Sequence, residues 1–316
     1  MYDLVIIGGG PAGVAAGVYA ARKKMKTALI TDSFGGQSLV SSDVQNWIGL
    51  KSVSGLELAN MLEDHLRVQE DIDIKMPDLV TKVEKKSGAE PVFKVLTKSG
   101  DTLETKTVLA LTGSRRRKLG VPGEKEFDGK GVVFCSTCDA PLFKNKITAV
   151  IGGGNAGLEA VRDLLPYATK IYLLEFGDVL KADAVTQEEI RKNPKVEIIF
   201  KAKTAKIIGD KFVSGLQYED LKTGQLKELK LDGVFVEIGA IPNADPIKEL
   251  VNLNKFGEVI VDHKTQQTSQ LGLWAAGDVS DVLYKQNNIS AGDAIKAVLN
   301  IYDYLNKQSS AGGYTK

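Results

Sequence analysis

Residues 2–32, YDLVIIGGGPAGVAAGVYAARKKMKTALITD, carry the pattern from which the fold is inferred. An apolar run leads into a glycine turn, a helical pattern of small residues follows, and a second apolar run ends at Asp32. This order predicts a β-α-β unit. In its G-x-G-x-x-G motif, Gly8 permits a tight turn, Gly10 lets the backbone approach a pyrophosphate, and Gly13 packs the helix on the strand. The motif in this context predicts a dinucleotide site rather than a merely structural glycine turn.

The same plan occurs a second time at residues 147–175, ITAVIGGGNAGLEAVRDLLPYATKIYLLE. Here Gly152, Gly154 and Gly157 form the glycine motif, and the second apolar run ends at Glu175. Two such motifs in one chain indicate two nucleotides, one held as a prosthetic group and one that exchanges.

Each copy is followed by short alternating segments with turn signals, at 79–106 and at 204–230, which predict two β-meanders. Each copy then ends on an apolar strand that stops at glycine, TVLALTG at 107–113 and GVFVEIG at 233–239. The segment 271–305 belongs to neither copy: its LWAA predicts a strand that ends at Gly277-Asp278, and a helical pattern begins near Ser290.

The fold predicted from these patterns is α/β, with two Rossmann-like, three-layer dinucleotide-binding domains, each with a β-meander, the second inserted into the first. The first domain is predicted to comprise residues 1–117 with 245–316, and the second residues 118–244. Proline and glycine in the segments 115–122 and 241–246 indicate hinges. The polar tail at 308–316 is predicted to be disordered.

The overall composition excludes several classes of function. The 316 residues carry a net charge of +1, which gives no electrostatic basis for binding nucleic acid or an anionic membrane. Apolar runs fall short of the roughly 20 residues that a membrane span needs, and the N-terminus lacks the charged leader of a signal peptide. With 2 cysteines, a secreted disulfide framework is not expected, so the sequence predicts a cytoplasmic protein.

Both cysteines lie in FCSTCDAPLF at 134–143, as Cys135-Ser136-Thr137-Cys138-Asp139. A zinc half-site would need two more ligands, for which only His65 and His263 are available, and buried inert thiols are a second alternative. A redox-active disulfide is the preferred interpretation, although Pro141 leaves no room for the long helix of a thioredoxin-type motif. Asp139 is the neighbouring acid that could carry the proton.

A basic run, Arg115-Arg116-Arg117-Lys118, precedes this motif. It could dock an acidic partner or a cofactor phosphate, but a solvated hinge surface is the commoner explanation for such a run.

Four motifs in this order and spacing resemble the low-molecular-weight thioredoxin reductase family of flavoproteins, over nearly the whole chain. They are the C-x-x-C-D at 135–139, the GGQ at 35–37, Asn46 downstream of it, and Ala275-Ala276-Gly277-Asp278. The resemblance implies an FAD-dependent disulfide oxidoreductase, usually a homodimer, in which the modules rotate to bring the nicotinamide and the dithiol to the flavin in turn.

Further segments resemble one branch of that family, the flavoprotein subunit of alkyl hydroperoxide reductase. They are FGGQSLV at 34–40, CDAPLFK at 138–144, LLEFGDVLKADAV at 173–185 and YKQNNISAGDAIKA at 284–297. That subunit carries an N-terminal thioredoxin-like domain that receives the electrons, whereas this chain begins at the first glycine motif. A separate thioredoxin-, glutaredoxin-like or peroxiredoxin disulfide protein is therefore the expected partner.

The resemblance also assigns roles to residues. Cys138 is expected to face the flavin, Cys135 to attack the partner disulfide, and Asp139 to act as acid and base. Asp32 is expected at the adenosine ribose and Asp278 at the ribitol or phosphate. FAD is expected to bind Gly8, Gly10, Pro11, Ala12, Gly13, Asp32, Gly36, Gln37, Asn46, Thr112, Gly113, Gly277, Asp278 and Gln286. The nicotinamide nucleotide is expected to bind Gly152, Gly154, Asn155, Ala156, Gly157, Glu175, Lys181 and Gly239.

The residues after the second β-α-β unit predict which nicotinamide nucleotide is used. Members that use NADPH place a histidine and two arginines there to hold the 2′-phosphate, where this chain has Glu175, Phe176 and Gly177 and keeps only Lys181 as a basic residue. A carboxylate at this point accepts hydrogen bonds from ribose hydroxyls, so NADH is predicted. The alternative is that Glu175 merely caps the strand and points to solvent. The alternatives for the enzyme are an NADPH-dependent thioredoxin reductase and a flavoprotein with a different electron donor.

Overall fold

The computed structural model describes residues 1–41, 43–86, 88 and 91–311. The strands are β1 (Tyr2–Ile7), β2 (Thr27–Ile30), β3 (Ile72–Lys75), β4 (Val80–Lys85), β5 (Phe93–Thr97), β6 (Thr102–Ala110), β7 (Ser114–Arg116), β8 (Val132–Val133), β9 (Ile147–Ile151), β10 (Lys170–Glu175), β11 (Val196–Phe200), β12 (Ala202–Gly209), β13 (Val213–Asp220), β14 (Gln225–Lys230), β15 (Gly233–Val236), β16 (Ala240–Pro242) and β17 (Leu273–Ala275). The helices are α1 (Pro11–Arg22), α2 (Gly55–Arg67), α3 (Ser136–Asp139), α4 (Asn155–Leu164), α5 (Ala184–Lys192) and α6 (Asn287–Ala311). Short 3-10 helices cover Gly36–Val40, Ala140–Phe143 and Gly277–Val279.

The chain divides into two compact units. One consists of Met1–Arg115 with Ile241–Lys316, and the other of Arg116–Ala240. The predicted boundaries at 117/118 and 244/245 lie two and four residues beyond these divisions at 115/116 and 240/241. The chain crosses between the units at β7 and β16, which pair with each other as a two-stranded sheet.

The first unit is built on a seven-stranded sheet in the order β3-β2-β1-β6-β5-β4, with β17 also paired to β6. β6 pairs with three strands: it runs parallel to β1, its beginning pairs antiparallel with β5, and its end pairs parallel with β17. The strands β1, β2 and β3 run parallel to the end of β6, so their carboxyl ends meet at one edge of the sheet. The apolar strands β1 and β2 are buried because both faces of this sheet are covered.

One face of this sheet is covered by α1 and α6, around the fully buried Trp274. The opposite face packs against apolar residues of the segment 244–261, among them Ile247 and Val259. The C-terminal part of the chain completes the first unit, as the sequence predicts, and the structure shows in addition that it contributes to both faces of the sheet. The helix predicted near Ser290 begins three residues earlier, at Asn287, and continues to Ala311. Residues 308–311 of the tail predicted to be disordered are therefore helical, and residues 312–316 lie outside the described residues.

The second unit repeats the parallel plan in a five-stranded sheet, β11-β10-β9-β15-β8. On one face its core includes Leu158, Leu164 and Ile190 from α4 and α5. On the other face it includes Leu216 and Tyr218 of the antiparallel sheet β12-β13-β14. The predicted α/β fold with two three-layer modules and two meanders is confirmed. The meander of the first unit differs in one respect, because β4, β5 and β6 continue the main sheet.

Within the described residues, every helix is too short or too polar to cross a membrane.

Candidate active site

The first glycine turn lies between β1 and α1. Gly8 has a φ of +116°, and a Cβ there would overlap the carbonyl oxygen of Leu111. A Cβ on Gly13 would overlap the carbonyl oxygen of Gly8, so the helix packs directly on the strand. Gly10 differs, because its nearest neighbour would be the Cα of Gly36 at 3.9 Å. The turn thus leaves open space beside Gly10. The first helical residues, Pro11 and Ala12, follow it and are buried.

Residues distant in sequence meet beside this turn. The Nε2 of Gln37 donates to Ser114 Oγ at 3.3 Å and to Asp278 Oδ2 at 3.4 Å. The Nδ2 of Asn46 donates to Gln286 Oε1 at 3.2 Å. These bonds bring together the side chains predicted to line one cofactor, because the carboxyl ends of β1, β6 and β17 share one edge of the sheet.

The structure adds neighbours that the sequence interpretation missed. Asn287 donates to Ser38 Oγ at 2.9 Å, and Asn288 donates to the Asn46 carbonyl at 2.7 Å. The hydroxyl of Ser290 contacts Asp278 Oδ1 at 3.4 Å. The available signal was the polar run QNNIS at 286–290, which begins at a predicted site residue.

The other predicted residues of this unit lie at the same edge of the sheet. Asp32 follows β2 and is exposed. Thr112 follows β6 and exchanges two hydrogen bonds with Asn243: its hydroxyl donates to the Asn243 carbonyl at 2.7 Å, and Asn243 Nδ2 donates to its carbonyl at 2.9 Å. Gly113 and Gly277 both have positive φ, of 64° and 69°.

The second glycine turn reproduces the first. A Cβ on Gly152 would overlap the carbonyl oxygen of Glu237, and one on Gly157 would overlap the carbonyl oxygen of Gly152. A Cβ on Gly154 would meet no atom within 4 Å. The first two residues of α4, Asn155 and Ala156, are exposed beside it, and Asn155 Oδ1 accepts the backbone N–H of Asp183 at 2.9 Å.

Glu175 is the last residue of β10 and is buried, with 8% of its surface exposed. The backbone N–H groups of Gly153 and Gly177 each donate to its carboxylate at 2.7 Å. The alternative in which Glu175 points to solvent is therefore wrong. Lys181 is exposed, and its backbone N–H donates to the Gly153 carbonyl at 2.8 Å. Gly239 is also exposed, with a φ of +98° and no neighbour within 4 Å of an added Cβ.

Cys135 and Cys138 form a disulfide with their Cα atoms 5.3 Å apart. The helix α3 begins directly after Cys135, contains Cys138 and has 4 residues, and it passes into the 3-10 helix Ala140–Phe143. The prediction that no long helix follows the motif is confirmed. Among the described residues, no group of three or more His, Cys, Asp or Glu side chains is placed to hold a metal ion.

Asp139 closes α3, and its backbone N–H donates to the Cys135 carbonyl at 3.0 Å. Burial raises the pKa of Asp139 from 3.8 to about 6, while the positive charge of Arg116 opposes that change. A carboxyl with a pKa near neutrality can both release and accept a proton under physiological conditions. Arg116, one residue of the basic run, therefore acts electrostatically on Asp139, which lies in the same unit.

Two further carboxyl groups near the disulfide were missed. Asp163 Oδ2 accepts the hydroxyls of Ser136 at 2.8 Å and Thr137 at 3.3 Å. Burial raises the pKa of Glu237 from 4.5 to about 7. In the sequence, Glu237 is an acid inside the apolar run GVFVEIG, which was the signal that could have identified it.

This chain belongs to the pyridine nucleotide-disulphide oxidoreductase family, whose model matches residues 2–296. It is 43% identical to the F subunit of alkyl hydroperoxide reductase of Pseudomonas aeruginosa over 310 residues, which are 98% of this chain and 59% of that protein. It is also 43% identical to a Bacillus subtilis protein named NADH dehydrogenase, over 96% of this chain and 58% of that protein. The chain therefore spans about three fifths of the length of these curated relatives.

Among solved structures, thioredoxin reductase from Streptococcus pyogenes superposes with a TM-score of 0.89 at 34% identity, covering 97% of this chain and 99% of that one. Thioredoxin reductase from Giardia duodenalis also gives a TM-score of 0.89, at 29% identity, covering 96% and 99%. Together with the family match, these structures support a flavin-dependent disulfide oxidoreductase. FAD and a pyridine nucleotide are the cofactors expected for this family.

The residues present fit both cofactors. Each glycine turn leaves open space at its second glycine, Gly10 and Gly154, and this is where a backbone must admit a pyrophosphate. In the first unit, Gln37, Asn46 and Asp278 converge beside that opening and offer amide and carboxylate groups to a ring and a sugar chain. In the second unit, the carboxylate of Glu175 offers acceptors next to the turn.

A matched pair of substitutions separates the structural glycine from the binding glycine of the second turn. We expect Gly157→Ala to lower the free energy of unfolding by ~1–3 kcal/mol, because its Cβ overlaps the Gly152 carbonyl. Gly154→Ala should keep the wild-type stability and weaken binding of the nicotinamide nucleotide by roughly tenfold or more, because its Cβ enters the open space. Thermal unfolding and nucleotide titration measure the two effects. Equal loss of stability in both variants would contradict the assignment.

The raised pKa of Asp139 predicts a pH-dependent contribution to stability. Since the folded-state value of about 6 lies above 3.8, the folded protein binds this proton more tightly than the unfolded chain does. The contribution is fully present below pH 3.8 and is lost as the pH rises through 6. The side chain in Asp139→Asn stays neutral at every pH, so this variant does not lose stability as the pH rises. Between about pH 4 and pH 7 its free energy of unfolding in urea should therefore increase by up to ~3 kcal/mol relative to that of the wild type. Asp210→Asn, at an exposed turn, is the control and should follow the wild type throughout. A constant difference between Asp139→Asn and wild type would refute the prediction.

Proposed function

We propose that this protein passes electrons from NADH, through FAD, to the Cys135–Cys138 disulfide and from there to a separate disulfide protein. The observation that carries the proposal is the second unit, which combines a nucleotide-type glycine turn, an anchored carboxylate at Glu175, and a disulfide followed by an acid with a pKa of about 6. Electron entry and electron exit are thus provided by one unit, and the first unit provides the residues that fit FAD.

In this proposal FAD binds to the first unit. Gly8, Gly10 and Gly13 hold its pyrophosphate at the start of α1, Asp32 binds the adenosine ribose, and Asp278 binds the ribitol or a phosphate. Side chains that line the flavin ring are Gln37, Asn46 and Gln286, and Thr112 and Gly113 lie at the same sheet edge. When bound, FAD accepts a hydride from the nicotinamide and passes two electrons on.

The dithiol then transfers those electrons to the partner. Cys138 is the sulfur that faces the flavin, and Cys135 is the sulfur that attacks the partner disulfide. Asp139 holds the proton that the departing thiolate takes up and recovers it in the next cycle, a role for which its raised pKa is suited. The short α3 supplies little helix dipole, so proton transfer from a carboxyl is the available means of managing the thiolate charge.

The partner is proposed to be a thioredoxin-, glutaredoxin- or peroxiredoxin-system protein. Two observations support this class: 43% identity to an alkyl hydroperoxide reductase F subunit, and superposition on thioredoxin reductases. An NADPH-dependent thioredoxin reductase is the second candidate, favoured by those same structures and by the exposed Lys181 near the turn. A non-nicotinamide donor is less well supported, because Gly154 keeps open space for a nucleotide. The homodimer and the cytoplasmic location stay predictions.

The role of the dithiol is tested by Cys135→Ser. We expect this variant to lose reduction of protein disulfides while NADH still bleaches the flavin absorbance, because flavin reduction needs no sulfur whereas electron exit needs both. Stopped-flow absorbance and an insulin-type disulfide assay measure the two steps. Thr137→Ser, which removes one exposed methyl group between the cysteines, is the control and should retain both. Disulfide reduction that persists in Cys135→Ser would show that electrons leave by another route.

The choice of NADH over NADPH is tested at Glu175. The carboxylate is fixed by two backbone N–H groups, so a 2′-phosphate beside it would meet a negative charge. Unit charges about 4 Å apart repel by ~4 kcal/mol at an effective dielectric near 20. After solvent screening, a net ~1.5–3 kcal/mol favours NADH roughly ten- to a hundredfold in kcat/KM. The triple variant Glu175→His, Phe176→Arg, Gly177→Arg should reverse that preference. Equal use of NADPH by the wild type, or an unchanged preference in the triple variant, would defeat the proposal.

A further inference from the structure

Asp163 on α4 has no role in the function proposed above, yet both residues between the two cysteines donate hydrogen bonds to it. Ser136 Oγ donates to Asp163 Oδ2 at 2.8 Å, and Thr137 Oγ1 donates to the same oxygen at 3.3 Å. Ser136 is buried and Thr137 is exposed. One carboxylate oxygen of the neighbouring helix therefore fixes the turn that joins the two sulfurs.

The helix that carries these hydroxyls is too short to be stable alone. α3 has 4 residues, and the backbone N–H of its last residue, Asp139, donates to the Cys135 carbonyl at 3.0 Å. Forming a first helical turn is unfavourable, so a helix of this length requires contacts with the rest of the protein. Its N-cap residue, Cys135, makes no capping hydrogen bond with its side chain. The conformation of the C-x-x-C turn therefore depends on contacts such as the two bonds to Asp163.

The carboxylate of Asp163 is not neutralised by the cation next to it in the sequence. The Nε of Arg162 donates instead to Glu189 Oε2 on α5, at 3.0 Å. In the part of the chain that the structure describes, no basic side chain forms an ion pair with Asp163. A hydroxyl that donates to an ionised carboxylate makes a hydrogen bond roughly twice as strong as one between neutral groups. Asp163 is thus a strong acceptor for the hydroxyls of α3.

These bonds favour the disulfide over the dithiol for two reasons. A fixed turn holds the two cysteine Cα atoms 5.3 Å apart, within the roughly 4.4–6.8 Å that a disulfide spans, and this raises the effective concentration of one thiol at the other. A hydroxyl that donates to Asp163 is also not available to stabilise a thiolate, which is a form that appears on reduction. Loss of the bonds should therefore make the disulfide easier to reduce.

We propose that Asp163 is a positioning residue of the dithiol centre: through the hydroxyls of Ser136 and Thr137 it holds the turn in the conformation that closes the disulfide, and it thereby lowers the reduction potential of that disulfide. A lower potential makes the reduced centre a stronger reductant for its partner. The inference rests on the proposed function, in which this disulfide relays electrons. It leaves the electron donor and the class of partner unaltered.

The test is the equilibrium of the holoprotein with glutathione, measured without NADH, without oxygen and near neutral pH. Each disulfide reduced consumes two molecules of reduced glutathione and yields one of oxidised glutathione. Alkylation with iodoacetamide followed by mass spectrometry gives the dithiol fraction. Asp163→Ala should shift this equilibrium toward the dithiol by roughly three- to tenfold, which is ~14–30 mV for a two-electron couple.

Ser136→Ala removes the donor of the shorter bond and should shift the equilibrium in the same direction. Since both changes break the same bond, the double variant should show less than the product of the two single effects.

Two further variants separate the hydrogen bonds from other effects. Asp163→Asn is the conservative variant: its side-chain oxygen still accepts both hydroxyls, so the equilibrium should stay within about twofold of the wild type. Arg162→Ala is the matched control on the same helix. It removes the bond to Glu189 and none to α3, and it should also stay within about twofold of the wild type.

Three outcomes would overturn the inference. An unchanged equilibrium in Asp163→Ala would show that these bonds do not set the potential, and if that variant does not fold, an unchanged equilibrium in Ser136→Ala has the same meaning. A shift in Asp163→Asn as large as that in Asp163→Ala would show that the charge acts and not the position. An equal shift in Arg162→Ala would show a general disturbance of α4. The measurement needs no nicotinamide nucleotide and no partner protein, so it is independent of the proposed function, whose failure would appear as disulfide reduction by Cys135→Ser.

Discussion

The close approach of a helix to a strand at each glycine turn sets the geometry of both units. In each, the third glycine of the motif lies on the carbonyl oxygen of the first, at Gly13 on Gly8 and at Gly157 on Gly152. No side chain fits between them, so the helix start is held at the sheet edge and its unpaired N–H groups face the opening. The convergence of Gln37, Asn46 and Asp278 follows from the same geometry, because the other strands end at that edge.

The disulfide site depends on a different constraint, the burial of acids beside sulfur. The segment around Cys135 and Cys138 is too short to provide a helix dipole, and carboxyl groups surround it instead. Burial favours the neutral forms of Asp139 and Glu237, while Arg116 limits the effect. The result is two carboxyl groups that titrate near neutral pH next to a centre whose reduction changes its charge. An apolar pocket would offer a thiolate no stabilising interaction, and a pocket in which both carboxyl groups were ionised would repel the thiolate.

Much of this organisation was predictable because it is encoded locally. A strand, a glycine turn and a helix follow one another within about thirty residues, so residues 2–32 and 147–175 specify their own β-α-β units. The Cys135–Cys138 disulfide was equally predictable from its spacing. The contacts of Glu237, Asp163 and Arg116 were not, since they join β7, α3, α4 and the end of β15 across the unit. Such contacts depend on sheet order, which residue patterns specify only indirectly.

The two copies also differ in the acid near the end of their second strand: Glu175 lies at the position that Thr31 has in the first copy, and Asp32 lies one residue further on. Asp32 follows β2 in the open, and makes no hydrogen bond or ion pair with any other residue that the structure describes. Glu175 ends β10 with both carboxylate oxygens held, because Gly177 follows closely enough to turn its N–H back and Gly153 approaches without a side chain. A carboxylate fixed before the ligand arrives spares the cost of ordering it on binding. That difference suits the proposed roles, since a nucleotide that exchanges in every cycle benefits from a prearranged acceptor, whereas a prosthetic group is bound once.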